Sequence, residues 1–288
     1  MGNPGGGRHH AHVPTAPRRL ASPILIAVLG LSIASFSKAG SASAAGLPAF
    51  DVLALAQART DLVTLVNDQR AAHGLVALQV ASKATALAAS RAESMASMDT
   101  LSHTGPDGQT VFDAIRASGM TWYGAGEVIV RNTAPTEPES TAQAVAAWLA
   151  SPVHQSIMLS GDYNYVGFGA AVSAAGSRYY AGVFLKLPDL TAGWARIGRI
   201  SATPLDATKS RVTVRWTGGD TRLQVLTAGL RDFEVQRRLA GGTWQSAGTT
   251  AHSILSVTLP RGKTYEFRVR SRDQAGHRSA WSSASVRT

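Results

Sequence analysis

The sequence predicts a mixed α+β unit followed by an all-β unit. Apolar residues recur at helical spacing from residue 51 to about residue 158, a β-hairpin follows, and short alternating strands fill the last third of the chain. A length of 288 residues suits about two domains. We therefore expect an α+β domain at residues 45–190, a linker at 191–200 and an all-β sandwich at 201–288.

The first 44 residues have the pattern of an export signal. Arg18 and Arg19 precede an apolar run at residues 24–33, and Ala42-Ser43-Ala44 then supplies the small residues that signal peptidase accepts. The run is shorter than the ~20 residues that a spanning helix needs. We expect residues 1–44 to be a cleaved signal peptide and the protein to be secreted or associated with the cell envelope. The alternative is an uncleaved N-terminal anchor.

Five helices are expected to open the folded part of the chain. Gly74 is a stop signal after the first helix, and Gly119 is one after the third. Thr136 and Glu139 form a capping box, which starts the fourth helix. The helices are predicted from Asp51 to Gly74, from Ser82 to Met98, from Thr110 to Ser118, from Thr136 through Trp148, and from Ser151-Pro152 onward.

Strands complete the first unit. Glu127 is expected at the start of a strand over residues 127–131, behind a tight Gly-Ala-Gly segment. Residues 165–172 and 178–187 are expected to form a β-hairpin. His103 lies in a segment dense in turn-forming residues, so we place it on a loop between two helices.

The second unit is expected to contain only strands. Its short runs alternate apolar and polar residues and are separated by Gly-Gly and Arg-Gly turns. Trp216 ends the first of these runs. The runs cover residues 212–216, 233–237, 254–257 and 265–270.

Charge is divided unevenly along the chain, whose formal net charge is +10. Residues 45–197 hold 9 basic and 12 acidic residues, whereas residues 198–288 hold 15 basic and 6 acidic ones. The chain has no cysteine, which excludes disulfides, thiolate metal sites and thiol nucleophiles. A metal ion would therefore need histidine and carboxylate ligands. Export and the lack of a base-stacking motif make nucleic acid the weakest candidate partner.

Several short motifs follow one another between residues 55 and 187. They are Leu62, Asn67 and Arg70 of the first helix, Met95-Ala96, Leu101-Ser102-His103 with Asp107-Gly108, Gly126-Glu127, Trp148 with Ser151-Pro152 and His154, and residues 163–169 with Phe184. Their order resembles the short bacterial form of the secreted CAP proteins (cysteine-rich secretory, antigen five, pathogenesis-related). The resemblance implies an α-β-α sandwich whose central cleft gathers two histidines and one or two glutamates.

Carried over to this chain, the resemblance places His103, Glu127 and His154 in one cleft. A second family glutamate has no clear counterpart, and Val128 and Gln155 replace the asparagine and arginine that usually follow Glu127 and His154. Two imidazoles and a carboxylate suit zinc or another divalent metal and leave a position for water. The alternative is that these residues are ordinary ones. His103 would then bond to Asp107 or to the turn, Glu127 would cap a strand or pair with an arginine, and His154 would stabilise the first turn of its helix. No general base is identifiable, so no catalytic residue is assigned.

The second unit resembles a fibronectin type III domain. Trp216 matches its core tryptophan, and Tyr265, Phe267 and Val269 match a late strand. The basic residues between such core positions are expected to face solvent. The open alternatives are a solvated face and a patch that binds anionic wall polymers or lipid head groups. The candidate patch is Arg237, Arg238, Arg268, Arg270 and Arg272.

Two function classes follow from the sequence, and a third remains. The preferred one is a non-enzymatic secreted protein that binds a lipid or cell-envelope ligand in the His/Glu cleft and attaches to a surface through the basic second unit. The alternative is a metal-assisted, zinc-type hydrolase of peptide or wall polymer. The third is a structural or adhesion protein with an inert cleft.

Overall fold

The computed structural model describes residues 49–288 of the chain, and the predicted signal peptide lies outside them. No helix within the described part is both long enough and apolar enough to cross a membrane. The N-terminal unit is built from helices and one sheet. Its elements are α1 (Ala49–Ala72), β1 (Gln79–Val80), α2 (Ser82–Met98), α3 (Val111–Ala117), β2 (Gly124–Asn132), α4 (Glu137–Ala150), α5 (Pro152–Met158), β3 (Tyr165–Val172) and β4 (Arg178–Lys186).

The helix ends follow the sequence signals closely, with two differences. Thr136 caps α4, and its side chain accepts a hydrogen bond from the Glu139 backbone N–H. Ser151 stands at the N-cap of α5 as predicted, but its side chain makes no capping hydrogen bond. A complete capping box instead starts α3, where Thr110 and Asp113 bond each other reciprocally.

The first sheet has the strand order β1-β3-β4-β2, so β2 is an edge strand. The predicted β3–β4 hairpin is present, with Tyr165 opposite Leu185. The prediction for β2 was too short, because its pairing with β4 begins at Gly124 opposite Lys186. Glu127 therefore lies inside the strand, opposite Val183, and not at its start.

Helices cover both faces of this sheet. One buried cluster joins α2 and α3 to the face that carries Ala125, Ile129 and Tyr165. The other joins α1, α4 and α5 to the face that carries Val128 and Phe168. Glu127 shares its strand face with Ala125 and Ile129, because alternate residues of a strand point the same way. Its side chain is thus directed toward the α2 layer.

Helix α2 lies unusually close to β3. A Cβ atom added at Gly167 would come within 2.1 Å of the Thr85 backbone nitrogen, and one at Gly169 within 2.0 Å of the Ala88 carbonyl oxygen. Ala84 and Ala88 are fully buried on the facing side of α2. Small residues on both elements therefore let the helix backbone rest directly on the strand.

The C-terminal unit consists of two sheets around a shared core. A three-stranded sheet has the order β5-β6-β9, and a four-stranded sheet has the order β11-β10-β7-β8. Trp216 of the first sheet packs edge-to-face on Phe233 of the second, with ring centroids 5.8 Å apart. The strands are β5 (Trp194–Pro204), β6 (Lys209–Gly219), β7 (Leu230–Leu239), β8 (Gln245–Thr250), β9 (Ile254–Pro260), β10 (Thr264–Asp273) and β11 (Ser282–Arg287).

Most of the predicted linker at 191–200 belongs to a strand. β5 starts at Trp194 and pairs with β6 up to Pro204. Ala195 and Ile197 alternate toward the core of the second unit, which explains why this segment joins the sheet. Only the residues between β4 and Trp194 are left to connect the two units.

The loop between β6 and β7 packs against the N-terminal unit. The Gln224 side chain accepts a hydrogen bond of 2.7 Å from the Val76 backbone N–H. The buried Asn164 side chain donates to the Leu187 and Val225 carbonyl oxygens. Leu223 is buried within the α2 cluster. The two units therefore share an interface built from this loop and the connecting segment.

Candidate functional site

The centre of the candidate site is a buried carboxylate with two bonded partners. Glu127 is 3% exposed. Its Oε1 accepts a hydrogen bond of 2.9 Å from Arg91 Nε, and its Oε2 lies 2.6 Å from His103 Nδ1. Arg91 Nη2 also donates to the Ser102 carbonyl oxygen, at 2.6 Å. Arg91 therefore fixes both the carboxylate and the loop that carries His103.

His103 is held on its loop by local backbone bonds and by Glu127. A short antiparallel bridge joins Thr104 to Thr110 at the base of the loop. Asp107, the alternative partner considered from the sequence, accepts a hydrogen bond from the Gln109 backbone N–H. The structure thus brings His103 and Glu127 into contact. An ionised Glu127 requires His103 Nδ1 to carry the hydrogen, which leaves Nε2 as the second polar atom of this ring.

His154 approaches from the other side of the sheet. It lies in the first turn of α5, which packs in the opposite helical layer from α2. Its Nε2 is buried and has no hydrogen-bond partner among the described residues. Burial lowers the pKa of His154, and the charge of nearby His103 lowers it further. His154 and His103 are thus near enough for their charges to interact.

Arg70 fixes the helix that carries His154. Its guanidinium is fully buried and donates to the carbonyl oxygens of Met158 and Ser160, at 2.9 and 2.8 Å. It also donates to the Val76 carbonyl oxygen. Burial lowers the pKa of Arg70 to about 10, so the group still carries its charge at neutral pH. The end of α5 is therefore tied to the end of α1.

The three predicted ligands do not form a compact three-ligand metal site. Within residues 49–288, one group of three acidic or histidine residues has ligand atoms that all lie within 4.8 Å of one another. It consists of Asp189, Asp220 and Asp273, at the junction of the two units. Zinc binding by His103, Glu127 and His154 stays a prediction from the sequence.

The lowered pKa of His154 predicts an acid-dependent loss of stability. The unfolded chain binds a proton near pH 6.5, whereas the folded site resists it, so the free energy of unfolding should fall as the pH drops through 6.5. His154→Asn should reduce this dependence. The measurement is the urea midpoint between about pH 8 and about pH 5. His73→Asn, at an exposed position, is the control; equal pH dependence in wild type and His154→Asn would contradict the prediction.

A separate groove lies near the opposite edge of the sheet, beside β1. It has a volume of about 570 Å³ and is lined by residues 79–83, 119–121, 187–188 and 190–191 with Tyr165. Neither His103, Glu127 nor His154 lines it. The groove and the histidine site are therefore different places on the N-terminal unit.

The predicted basic patch is largely paired within the C-terminal unit. β10 and β7 lie side by side, and their outward residues face each other as Glu266 with Arg238 and Arg270 with Glu234. Arg238 Nε donates to Glu266 at 2.6 Å, and Arg270 Nε donates to Glu234 at 2.7 Å. Arg272 binds Asp232 through two nitrogens, and Arg268 binds Gln236 in the same way.

Two tryptophan rings stack alternately with the outward arginines. Trp244 lies between Arg238 and Arg268, and Trp281 lies between Arg268 and Arg270, with guanidinium-to-ring distances of 4.3 to 4.4 Å. Such stacking is favourable because a cation is attracted to the face of an aromatic ring. These arginines therefore have structural partners.

Arg237 differs from the other predicted patch residues. It stands opposite Phe267, so it lies at the end of the core-facing side of β7. The expectation that it belongs to the outward basic row was wrong, because Val235 and Arg237 are two residues apart and share a face. Binding of an anionic surface through Arg237, Arg238, Arg268, Arg270 and Arg272 stays a prediction.

Comparison with known proteins gives a family match for the first unit. Residues 63–184 match the model of the CAP family, described as the cysteine-rich secretory protein family. The "Uncharacterized protein YkwD" of Bacillus subtilis is 25% identical over 114 residues, which are 40% of this chain and 42% of that protein. The chain thus matches less than half the length of this curated relative.

Solved structures with a partial likeness include two bacterial proteins. An extracellular protein with an SCP domain from Bacillus anthracis is 20% identical, with 50% of this chain and 45% of that chain covered and a TM-score of 0.41. An outer surface protein of Borrelia burgdorferi is 19% identical, with 44% of this chain and 90% of that chain covered and a TM-score of 0.39.

A human fibronectin type III domain is 17% identical, with 35% of this chain and 90% of that chain covered and a TM-score of 0.26. The similarity to the CAP family rests on the match of the family model and not on these structural likenesses. Although the chain contains no cysteine, residues 63–184 match the CAP domain of the cysteine-rich secretory protein family.

Proposed function

We propose that this protein is an extracellular, non-enzymatic binding protein whose CAP domain takes a lipid or another cell-envelope ligand beside His103, Glu127 and His154. The proposal follows from an arrangement that offers a hydrogen bond to a ligand, while both oxygens of its carboxylate, Glu127, are held by protein partners. The match to a family described as secretory supports the location. The predicted export signal agrees with it.

The observation that carries the proposal is the unpartnered Nε2 of His154. A buried polar atom without a partner costs about 1–3 kcal/mol, so such atoms are usually satisfied by something that binds. The lowered pKa makes His154 a neutral imidazole at pH 7. A hydroxyl, amide or carboxyl group of a ligand would supply the missing hydrogen bond.

The same geometry favours binding over hydrolysis. A hydrolase needs a general base within reach of the water or substrate proton. Glu127 is the buried carboxylate of the site, and Arg91 and His103 occupy its two oxygens. A group held in this way positions its neighbours and is poorly placed to accept another proton.

The C-terminal unit is proposed as a fibronectin type III-like module that spaces the CAP domain from a surface or attaches it there. Its three-stranded and four-stranded sheets share a core around Trp216, which supports this proposal. The paired arginines favour a rigid, solvated face, so attachment would depend on the remaining basic residues.

Native mass spectrometry of the full chain, after incubation with vesicles of total bacterial envelope lipid, tests the binding proposal. Wild type should retain a lipid, and His154→Ala should retain it about 3- to 10-fold less, as expected for one lost hydrogen bond. His73→Ala is the matched control, since His73 is exposed in the same domain. Metal analysis of the same samples covers the alternative: stoichiometric zinc that disappears in His154→Ala, without retained lipid, would contradict the proposal in favour of a hydrolase.

A further inference from the structure

Three aspartates from separate segments meet where the two units join. Asp189 lies after β4, Asp220 lies just after β6, and Asp273 ends β10. One carboxylate oxygen from each lies within 4.8 Å of the other two. Asp189 and Asp273 are 6% and 1% exposed. Three like charges are thus gathered in a place with little access to water, which is costly unless a cation or protons neutralise them.

Peptide N–H groups orient these carboxylates. Asp189 accepts hydrogen bonds from the backbone N–H groups of Thr191 and Ala228, and Asp220 accepts one of 2.6 Å from Gly229. Thr191 Oγ1 and the Thr221 backbone N–H also donate to this cluster. Peptide dipoles hold the oxygens in place but supply no full positive charge.

The ionisable neighbour of the cluster is a histidine. Asp273 binds the His277 backbone N–H and lies 2.8 Å from His277 Nδ1. No lysine or arginine of residues 49–288 forms a salt bridge with Asp189, Asp220 or Asp273. Burial raises the pKa of Asp220, and the charges of Asp189 and Asp273 raise it further. The cluster therefore has more negative charge than its protein partners offset.

Ser271 is a second, independent sign of a ligand at this place. It is fully buried, and its Oγ has no hydrogen-bond partner among the described residues. Ser271 shares the inward face of β10 with Asp273. Its Oγ lies 2.9 Å from the position that a Cβ of Gly193 would take, and the Asp220 Cα lies 3.1 Å from that same position. The hydroxyl oxygen and the Asp220 backbone thus border the same small space at Gly193, and the hydroxyl lacks a partner there.

We infer that Asp189, Asp220 and Asp273, with Ser271 Oγ, form a calcium site that joins the CAP domain to the C-terminal unit. Carboxylate and hydroxyl oxygens are ligands of hard cations, and no nitrogen or sulfur donor is needed. Three segments of irregular geometry suit Ca²⁺, which tolerates varied coordination, better than Mg²⁺, which demands near-ideal octahedral geometry. The ion would fix the connecting segment against β6 and β10. The site is independent of the ligand proposed for the histidine cleft.

Thermal unfolding of the full chain, stripped with a chelator and then titrated with CaCl₂, tests this inference. The melting temperature of wild type should rise by a few degrees when the calcium concentration exceeds the dissociation constant. The same concentration of Mg²⁺ should raise the melting temperature less. Asp220→Asn should raise the half-saturating calcium concentration by at least about tenfold, since one ligand charge is lost. Without calcium, Asp220→Asn should melt at or above the wild-type temperature, because it relieves repulsion between the carboxylates.

The matched control is Asp206→Asn. Asp206 lies in the same unit and orients a turn by accepting N–H groups of Thr208 and Lys209, but it is exposed and outside the cluster. Asp206→Asn should leave the calcium-dependent rise in melting temperature unchanged. Ser271→Ala should weaken calcium binding without removing it. A wild-type melting temperature that does not respond to millimolar Ca²⁺, or an equal response in Asp220→Asn, would overturn the inference.

Terbium luminescence locates the ion. Tb³⁺ replaces Ca²⁺ at oxygen sites, and Trp194 adjoins Gly193 and packs beside Gly219, next to Asp220. Tryptophan excitation should therefore sensitise Tb³⁺ emission that CaCl₂ displaces. Trp194→Phe should reduce this emission and keep the calcium-dependent melting shift. Emission that persists undiminished in Asp220→Asn would place the ion elsewhere and overturn the assignment.

Discussion

Replacing Arg91 with methionine should destabilise the CAP domain by about 3–5 kcal/mol. The Arg91 and Glu127 side chains are 8% and 2% exposed, so their ion pair is buried. Removing the guanidinium leaves a carboxylate in a dry site with His103 as its remaining side-chain partner. It also releases the Ser102 carbonyl oxygen and with it the loop that carries His103. The measurement is urea unfolding monitored by tryptophan fluorescence.

Two further variants separate charge burial from simple loss of packing. The double variant Arg91→Met with Glu127→Gln should recover a substantial part of the lost stability, because no unpaired charge then remains buried. Arg116→Met removes an exposed arginine paired with Asp113 and should change the free energy of unfolding by less than about 1 kcal/mol. A similar effect of Arg91→Met and Arg116→Met would refute the view that the pair is the scaffold of the site.

The second large effect is expected from Gly169→Ala, which should cost about 3 kcal/mol or more. The added methyl group would lie 2.0 Å from the Ala88 carbonyl oxygen, and a helix backbone cannot move aside as a flexible side chain can. α2 would have to lift from β3. Because Arg91 is on α2, the contact with Glu127 should weaken as well. Urea unfolding and the histidine NMR resonances report the two consequences.

Gly124→Ala is the matched control for this prediction. Gly124 is also a strand glycine, but its added Cβ would meet the Lys186 side chain at an ordinary distance of 3.6 Å. Its stability should stay within about 0.5 kcal/mol of wild type. Equal stability of Gly169→Ala and wild type would show that α2 does not rest on the strand as described.

Local patterns were sufficient to predict the helices and the hairpin of the CAP domain. The bounds predicted for α2 agree with the structure, because its apolar period and flanking turns lie within the segment itself. β2 was predicted too short, since its first residues are glycine and alanine and join the sheet only through pairing with β4. The linker prediction failed for a similar reason. The segment becomes strand β5 only by pairing with β6, which the local sequence does not show.

The candidate site could be predicted only in part. His103, Glu127 and His154 were named from a resemblance, whereas their sequence spacing carries no information about contact. Pairing of Glu127 with an arginine was one of the alternatives, but Arg91 could not be named as that arginine, because a buried arginine on a small-residue helix has no local signal. The partners of the outward arginines depend on the register between β10 and β7. A shift of one residue would move every side chain of the strand to the opposite face of the sheet. The aspartate cluster joins three distant segments.

Ligand binding at His154 is tested by the imidazole nitrogen NMR spectrum of the full chain at neutral pH, with and without vesicles of envelope lipid. We expect a hydrogen on His103 Nδ1, which stays bonded to Glu127, and a neutral His154 whose Nε2 resonance moves when lipid is added. Arg91→Met should disturb the first signal in the absence of lipid. A His154 resonance that stays unchanged while lipid is retained would contradict the proposed role of this cleft.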